Sequence, residues 1–305
     1  MKQIDLSVNI GSLKIQNPVM LASGTVGYGN EISEYTDLSK IGGIVTKSIS
    51  LYPRKGNPPK RITETASGML NAIGLANVGL DEFVKTKIPF LKNLNSTLIC
   101  NIAASSIEEY VECVKSLNTE DTVKAFEINV SCPNVKDGGL IFGNNVNNVR
   151  IITEKVRAAT SKPIIIKLSP NTASIKDFAQ AAKDEGADAV SATNTLVGTA
   201  FDIYSKKPKI KNITGGLSGP AIKPVALAKV LEISRNVDIP IIGIGGITNW
   251  KDAVEFMICG ASAVQLGTVN FVNPNAAEEV IAGLKKYCID TNLSKISDLT
   301  ATYSI

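Results

Sequence analysis

The chain has 305 residues, 44% hydrophobic and 20% charged, with a formal net charge of +4 and no histidine. This is the composition of a globular protein with ample core, and no apolar run reaches the roughly 20 residues that span a bilayer. The start, Met1-Lys2-Gln3-Ile4-Asp5, lacks the apolar stretch of a signal peptide, so a cytoplasmic location without membrane attachment is expected.

In chain order, Leu6, Val8 and Ile10 alternate, Gly11-Ser12 turns, and Leu13 and Ile15 alternate again. That pattern predicts a hairpin capping the closed end of whatever follows. Nearly all-apolar strand candidates then lie at 19–22, 43–47, 98–102, 125–130, 164–168, 189–192, 241–244 and 263–266. Strands buried on both faces read this way. Between them the helical period predicts helices at 107–117, 146–160, 175–185, 223–234, 250–259 and 276–287. Start signals support three: Ser105 and Ser106 before Glu108 and Glu109, Ser174 before Asp177, and Asn249 before Asp252. Eight strands alternating with helices predict a closed (β/α)₈ TIM barrel as a single domain over 1–305. A doubly wound open sheet would show fewer strands and an early dinucleotide fingerprint. Long connections at 48–97 and 195–222, and the loop after the fourth strand, fall where barrels build their sites.

Without histidine, proton transfer near neutral pH falls to Cys, Lys, Asp, Glu or Tyr, and the commonest metal ligand is missing. Five scattered cysteines at 100, 113, 132, 259 and 288 form no C-x-x-C pair, which argues against disulfides and against a bound metal or iron–sulfur centre. The basic run Lys206-Lys207-Pro208-Lys209 with Lys211 has no interleaved aromatics, so a solvated loop is expected rather than nucleic-acid binding.

The strand ends form a polar and glycine-rich ring: Ser23-Gly24, Lys47-Ser48, Asn101, Asn129 with Ser131-Cys132, Lys167, Thr193-Asn194, Gly245-Gly246 and Gly267-Thr268. Each alone is an ordinary turn or solvent-reaching residue; eight in one ring mark a site. Glycines after the seventh and eighth strands suit a phosphate approaching the backbone. Lys47 and Lys167 suit either a Schiff base or an anionic cofactor. Cys132 follows a strand end, precedes Pro133 and sits among polar neighbours, unlike the other four cysteines, which read as core. With an ordinary pKa of about 8.5, such a thiol can act as a base at mildly alkaline pH.

The stretch Asn129-Val130-Ser131-Cys132-Pro133-Asn134-Val135-Lys136-Asp137-Gly138-Gly139 resembles the active-site loop of class 1 dihydroorotate dehydrogenases, specifically the NAD-linked 1B catalytic subunits. The resemblance extends to Asn71-Ala72-Ile73-Gly74-Leu75, to Asn194-Thr195 and to Gly215-Gly216-Leu217-Ser218-Gly219-Pro220-Ala221, and so covers essentially the whole chain. It implies that Ser23, Lys47, Ser48, Asn101, Asn129, Lys167, Thr193, Gly219, Gly245, Gly246, Gly267 and Thr268 hold FMN. It implies that Lys47, Asn71, Ala72, Ile73, Gly74, Leu75, Asn129, Asn134, Asn194 and Thr195 hold dihydroorotate or orotate. In such enzymes the cysteine, here Cys132, takes the C5 proton while hydride leaves C6 for flavin N5, a step of pyrimidine (UMP) biosynthesis. A homodimer docked to partner subunits carrying FAD and a [2Fe–2S] cluster, which relay electrons to NAD, is implied as well. Fumarate as acceptor, a related dihydropyrimidine oxidation, a lysine-dependent aldolase and a non-catalytic flavin subunit are the alternatives. Two departures are Phe201, where the family pattern has a smaller aliphatic residue, and Thr193, at a position that varies in the family, so that its contact is expected through backbone alone.

Overall fold

A computed structural model of the chain describes residues 4–94, 96–131 and 145–304. The opening hairpin pairs β1 (Val8–Ile10) with β2 (Leu13–Ile15), Val8 opposite Ile15 and Ile10 opposite Leu13. All four residues are buried. Gly11 turns at φ +58°, and a side chain there would meet Asp188 Cβ at 2.9 Å. Asp188 directly precedes a barrel strand at Ala189–Ala192, so the hairpin lies against the N-terminal ends of the barrel strands, as the sequence predicts.

Next come β3 (Val19–Leu21), β4 (Gly43–Val45), β5 (Ile62–Thr65) and β6 (Gly68–Asn71). A helical stretch made of α1 (Leu80–Glu82), a π-turn at Phe83–Lys87 and α2 (Ile88–Leu91) leads to β7 (Leu98–Ile102). Then α3 (Ile107–Asn118), β8 (Val123–Asn129), α4 (Val146–Ala159), β9 (Ile164–Leu168), α5 (Ile175–Asp184) and β10 (Ala189–Ala192) alternate. After β11 (Leu196–Thr199) and β12 (Thr214–Ser218), alternation resumes with α6 (Lys223–Ser234), β13 (Ile241–Ile244), α7 (Trp250–Ile258), β14 (Ala263–Leu266) and α8 (Ala276–Asp290).

Eight parallel strands close in the order β3-β4-β7-β8-β9-β10-β13-β14, and β14 returns to pair with β3, Val264 opposite Val19. The (β/α)₈ barrel is therefore present. Strand ends move by no more than two residues from expectation, for local reasons. β4 stops at Val45 because the Lys47 N–H turns away to the Gly27 carbonyl at 2.8 Å. α8 continues to Asp290, where Lys286 and Asp290 pair one helical turn apart, 2.7 Å.

The strand period of the two long connections escaped the sequence reading. Each holds a pair of short strands, β5–β6 in one and β11–β12 in the other. Antiparallel pairing of β6 with β12 joins them into one four-stranded sheet, β5-β6-β12-β11. Among the described residues Cys100, Cys113 and Cys288 are buried, and burial pushes the Cys113 thiol up to about 12. These three are core residues, as expected, whereas Cys259, just past the end of the helix at Trp250–Ile258, is only partly buried against the core.

Two of the three helix-start signals act through side chains. Ser106 Oγ accepts from Glu109 N at 3.3 Å, while Glu109 accepts from Ser105 N at 2.7 Å. Asn249 and Asp252 form a reciprocal capping box on α7. Ser174 begins α5 but makes no cap bond, and its buried hydroxyl has no partner among the described residues.

Asp252 also accepts from Thr248 N at 2.8 Å and Lys223 Nζ at 2.7 Å. Burial alone would push this carboxyl up, but the bonds from Lys223 and Thr248 outweigh it and hold it below its ordinary value. A depressed carboxyl stabilises the fold above its unfolded pKa, near 4, and that contribution is lost as pH falls through the folded value. Asp252→Asn should accordingly lower the Tm at pH 7, with the gap from wild type narrowing once pH drops below about 4. Thermal unfolding across pH checks this; a gap independent of pH would mean that the charge plays no part.

Candidate active site

A parallel barrel brings all its strand C-termini to one end, and polar side chains inside it must find partners there. Glu127, in mid-barrel on β8, is fully buried. Four donors from four other strands converge on it. Asn101 Nδ2 of β7 donates to Oε1 at 2.6 Å and Lys167 Nζ of β9 approaches the same oxygen at 3.4 Å. Ser191 Oγ of β10 and Gln265 Nε2 of β14 donate to Oε2 at 2.9 and 2.7 Å. Ser48 Oγ extends the network by donating to Asn101 Oδ1 at 2.6 Å.

One layer nearer the mouth, Asn129 ends β8. Its Oδ1 accepts from Ser131 N at 3.2 Å and from Asn194 Nδ2 at 3.3 Å, and its carbonyl accepts from the Tyr110 hydroxyl at 2.8 Å. Ser131 Oγ donates to the Lys167 carbonyl at 3.1 Å. Thr193 N donates to the Ile244 carbonyl at 2.8 Å, which ties β10 to β13 at the rim. Ser48, Asn101, Asn129, Lys167, Thr193 and Asn194 thus form one connected wall. Lys47 is half-buried at the end of β4, and no ion pair is made by its ammonium among the described residues. Ser23 is half-buried two residues beyond β3.

The four-stranded sheet brings in the remaining expected contacts. Asn71 Nδ2 donates to the Gly216 carbonyl at 3.3 Å, linking β6 to β12. Thr195 Oγ1 occupies the place where a side chain at Gly216 would fall. The segment 71–75 is fastened by Ala72 N to the Arg61 carbonyl at 2.7 Å and by Asn57 N to the Ile73 carbonyl at 2.9 Å. Gly74 and Leu75 then take φ of +73° and +57°. The half-buried amides of Ile73, Gly74 and Leu75 donate to no acceptor among the described residues. Successive free amides of this kind form a concavity suited to an anion.

The glycines after β13 and β14 differ in what they tolerate. Gly246 has φ +72°, and a Cβ there would lie 2.8 Å from Lys223 Cβ and 2.9 Å from both Gly219 O and Lys223 N. Gly219, at φ +95°, would place a Cβ 2.7 Å from Gly68 Cα and 3.6 Å from Thr268 Cγ2. Thr268 in turn donates to Ser218 Oγ at 2.7 Å. Gly219, Gly246 and Thr268 therefore converge, while Gly245 packs against Ala226 of α6. At Gly267 the nearest atoms to a Cβ would be Ala22 Cβ at 3.8 Å and Thr25 Cγ2 at 3.9 Å, ordinary contacts. The amides of Gly246, Gly267 and Thr268 have no acceptor among the described residues and remain half-buried, available to a ligand oxygen.

Every expected site residue that the structure describes falls at this end of the barrel. Cys132 and Asn134 lie outside the described residues. Glu127, Ser191, Gln265 and Tyr110 were not predicted as part of the site. The first three had a signal: each is a polar residue flanked on both sides by apolar residues within a barrel strand. Among the described residues no group of three or more His, Cys, Asp and Glu could hold a metal ion, and no helix is long and apolar enough to cross a membrane.

The chain matches the family model described as dihydroorotate dehydrogenase over residues 5–288. The chain belongs to the dihydroorotate dehydrogenase family. It is 52% identical over 294 residues to the protein of Trichlorobacter lovleyi named dihydroorotate dehydrogenase B (NAD(+)), catalytic subunit, covering 96% of this chain and 97% of that one. The protein of the same name from Geotalea daltonii is 50% identical over 305 residues, covering all of both chains. That from a Thermoanaerobacter species is 49% identical over 302 residues, 99% of this chain and 100% of its own length.

In this family member the two glycine positions should separate a packing role from a ligand role. Gly246→Ala is expected to cost about 1–3 kcal/mol of stability, because backbone must shift. Gly267→Ala should stay within about 0.5 kcal/mol of wild type. Thermal unfolding of the two ligand-free variants measures both; equal losses would refute this distinction.

Proposed function

We propose that this chain oxidises dihydroorotate to orotate with FMN as cofactor and Cys132 as base, and passes the electrons to NAD through a second subunit. The observation that carries the reading is identity of about 50% along the full chain to proteins named as NAD-linked catalytic subunits. The residues at the barrel mouth fit a flavin mononucleotide. Free amides at Gly246, Gly267 and Thr268 suit its phosphate. Ser23, Lys47, Ser48, Asn101, Asn129, Lys167, Thr193, Gly219 and Gly245 would complete its site.

FMN, when bound, supplies the hydride acceptor for C6 of the substrate. The chain's own residues do the rest. Asn71, Asn129, Asn134, Asn194 and Thr195 would orient the substrate ring, since carboxamides match its amide donors and acceptors. Lys47 and the free amides of Ile73, Gly74 and Leu75 would take its carboxylate, with Ala72 completing the segment. Cys132 removes the C5 proton as thiolate, the form that rises with pH in a chain without histidine.

Cys132→Ala should bind FMN and orotate normally yet bleach the flavin about 10²–10⁴-fold more slowly on anaerobic addition of dihydroorotate. Near-normal bleaching would assign the proton to another group. Gly267→Ala, folded as wild type, should lose affinity for FMN in the same preparations.

The relatives' description as a catalytic subunit supports a partner that reaches NAD. We assign that partner FAD and a [2Fe–2S] cluster, docked to a homodimer of this chain in a heterotetramer. The isolated chain should reduce artificial dyes with dihydroorotate but leave NAD unreduced until the partner is added. Rapid turnover with fumarate by the chain alone would instead make the partner unnecessary.

A further inference from the structure

Glu127 is a buried charge for which the proposed chemistry has no use. Its carboxylate is fully enclosed and receives one donor from each of β7, β9, β10 and β14. Lys167 is 6% exposed, and Glu127, at 3.4 Å, is its ion-pair partner. A lone ammonium in a poorly solvated site acts on a third group as a full charge. With a carboxylate against it, the pair acts as a much weaker dipole. A flavin gains negative charge on its N1 side when reduced, so a bare cation beside it favours the reduced form and a compensated cation favours it less.

We propose that Glu127 is a positioning residue: it holds the Lys167 ammonium in place, offsets its charge, and so sets how much more tightly the site binds reduced than oxidised flavin. This rests on the reading above that Lys167 helps hold FMN. The cluster is built so that the charge can be removed without loss of bonding. Gln265 Oε1 is buried and has no hydrogen-bond partner among the described residues. If Glu127 becomes Gln, its new amide needs an acceptor, and a flipped Gln265 side chain offers that oxygen in place of its present donor. The Ser191 hydroxyl can likewise turn from donor to acceptor. Glu127→Gln is therefore a test of charge at nearly constant shape.

The experiment measures the affinity of the full-length protein for oxidised and for reduced FMN, together with the midpoint potential of the bound flavin. Glu127→Gln should still bind FMN stoichiometrically, with the reduced-to-oxidised affinity ratio raised about tenfold, an upward shift of about 30 mV for a two-electron couple. Glu127→Gln combined with Lys167→Met removes both charges and should return the ratio close to wild type. A merely structural role for Glu127 would move stability and leave the ratio alone, so an unchanged or lowered ratio in folded, FMN-loaded Glu127→Gln overturns the proposal. Should Glu127→Gln fail to fold, the double variant, which carries no unpaired charge, should fold and bind FMN. A double variant that also fails, while Lys167→Met alone folds, overturns it equally. Absence of FMN binding by the wild-type protein would instead sink the flavin reading itself, before any variant is made.

Discussion

A carboxylate enclosed at the centre of an apolar barrel can exist only if donors reach it from several directions at once. Glu127 meets that condition with an amide, a hydroxyl, an ammonium and a second amide, one from each of four strands. Slipping any of those strands by one residue would turn its donor out of the barrel. The cluster therefore fixes the relative register of β7, β8, β9, β10 and β14, beyond what their nearly uniform Ile, Val and Ala faces could specify. Because Asn101, Asn129 and Lys167 ride on the same strands, the register that satisfies the buried charge also sets the positions of the wall at the mouth.

The second constraint lies above the mouth. Hydrogen bonds between β6 and β12 join connections that are about as far apart in sequence as the barrel's second and sixth strands. Asn71 reaches Gly216, and Thr195 fills the space beside it, so candidate contacts from two loops are held by one sheet rather than by two independent excursions. Asn57 clamps the carbonyls of Ala72 and Ile73, while the amides of Ile73, Gly74 and Leu75 meet no acceptor among the described residues. The shape of this lip is a property of backbone, with side chains serving chiefly to pin it.

Much of the barrel was legible in the sequence because strands buried on both faces must be almost wholly apolar and the intervening helices must keep a 3.6-residue period. All eight barrel strands and six of the helices announce themselves in that way. The antiparallel sheet did not, since Ile62–Thr65 and Gly68–Asn71 are four-residue strands with mixed exposure, and β12, Thr214–Ser218, carries two glycines in five residues. Strands so short take their conformation from pairing with distant partners, which no local pattern records. The strand-end residues were legible because the barrel has a single mouth. Glu127 was visible only as an anomaly inside an apolar run; that it organises four other strands depends on contacts up to 138 positions apart. Ser174 shows the converse: a residue of the right type at the right place whose hydroxyl finds no partner among the described residues.

The pairing of β6 with β12 has a consequence for how such a chain can change over generations. Two connections that would otherwise be free to lengthen or shorten independently share a ladder, with Asn71 opposite Gly216 and Met69 opposite Ser218. A residue gained or lost inside either strand would invert the facing of everything beyond it and separate the Asn71 side from the Thr195 side. Length variation is thereby confined to the outer margins of the sheet, near the tips that join β5 to β6 and β11 to β12. The exposed run of lysines from Lys206 to Lys211 lies in the second of those tips, so it occupies the part of the sheet most open to drift.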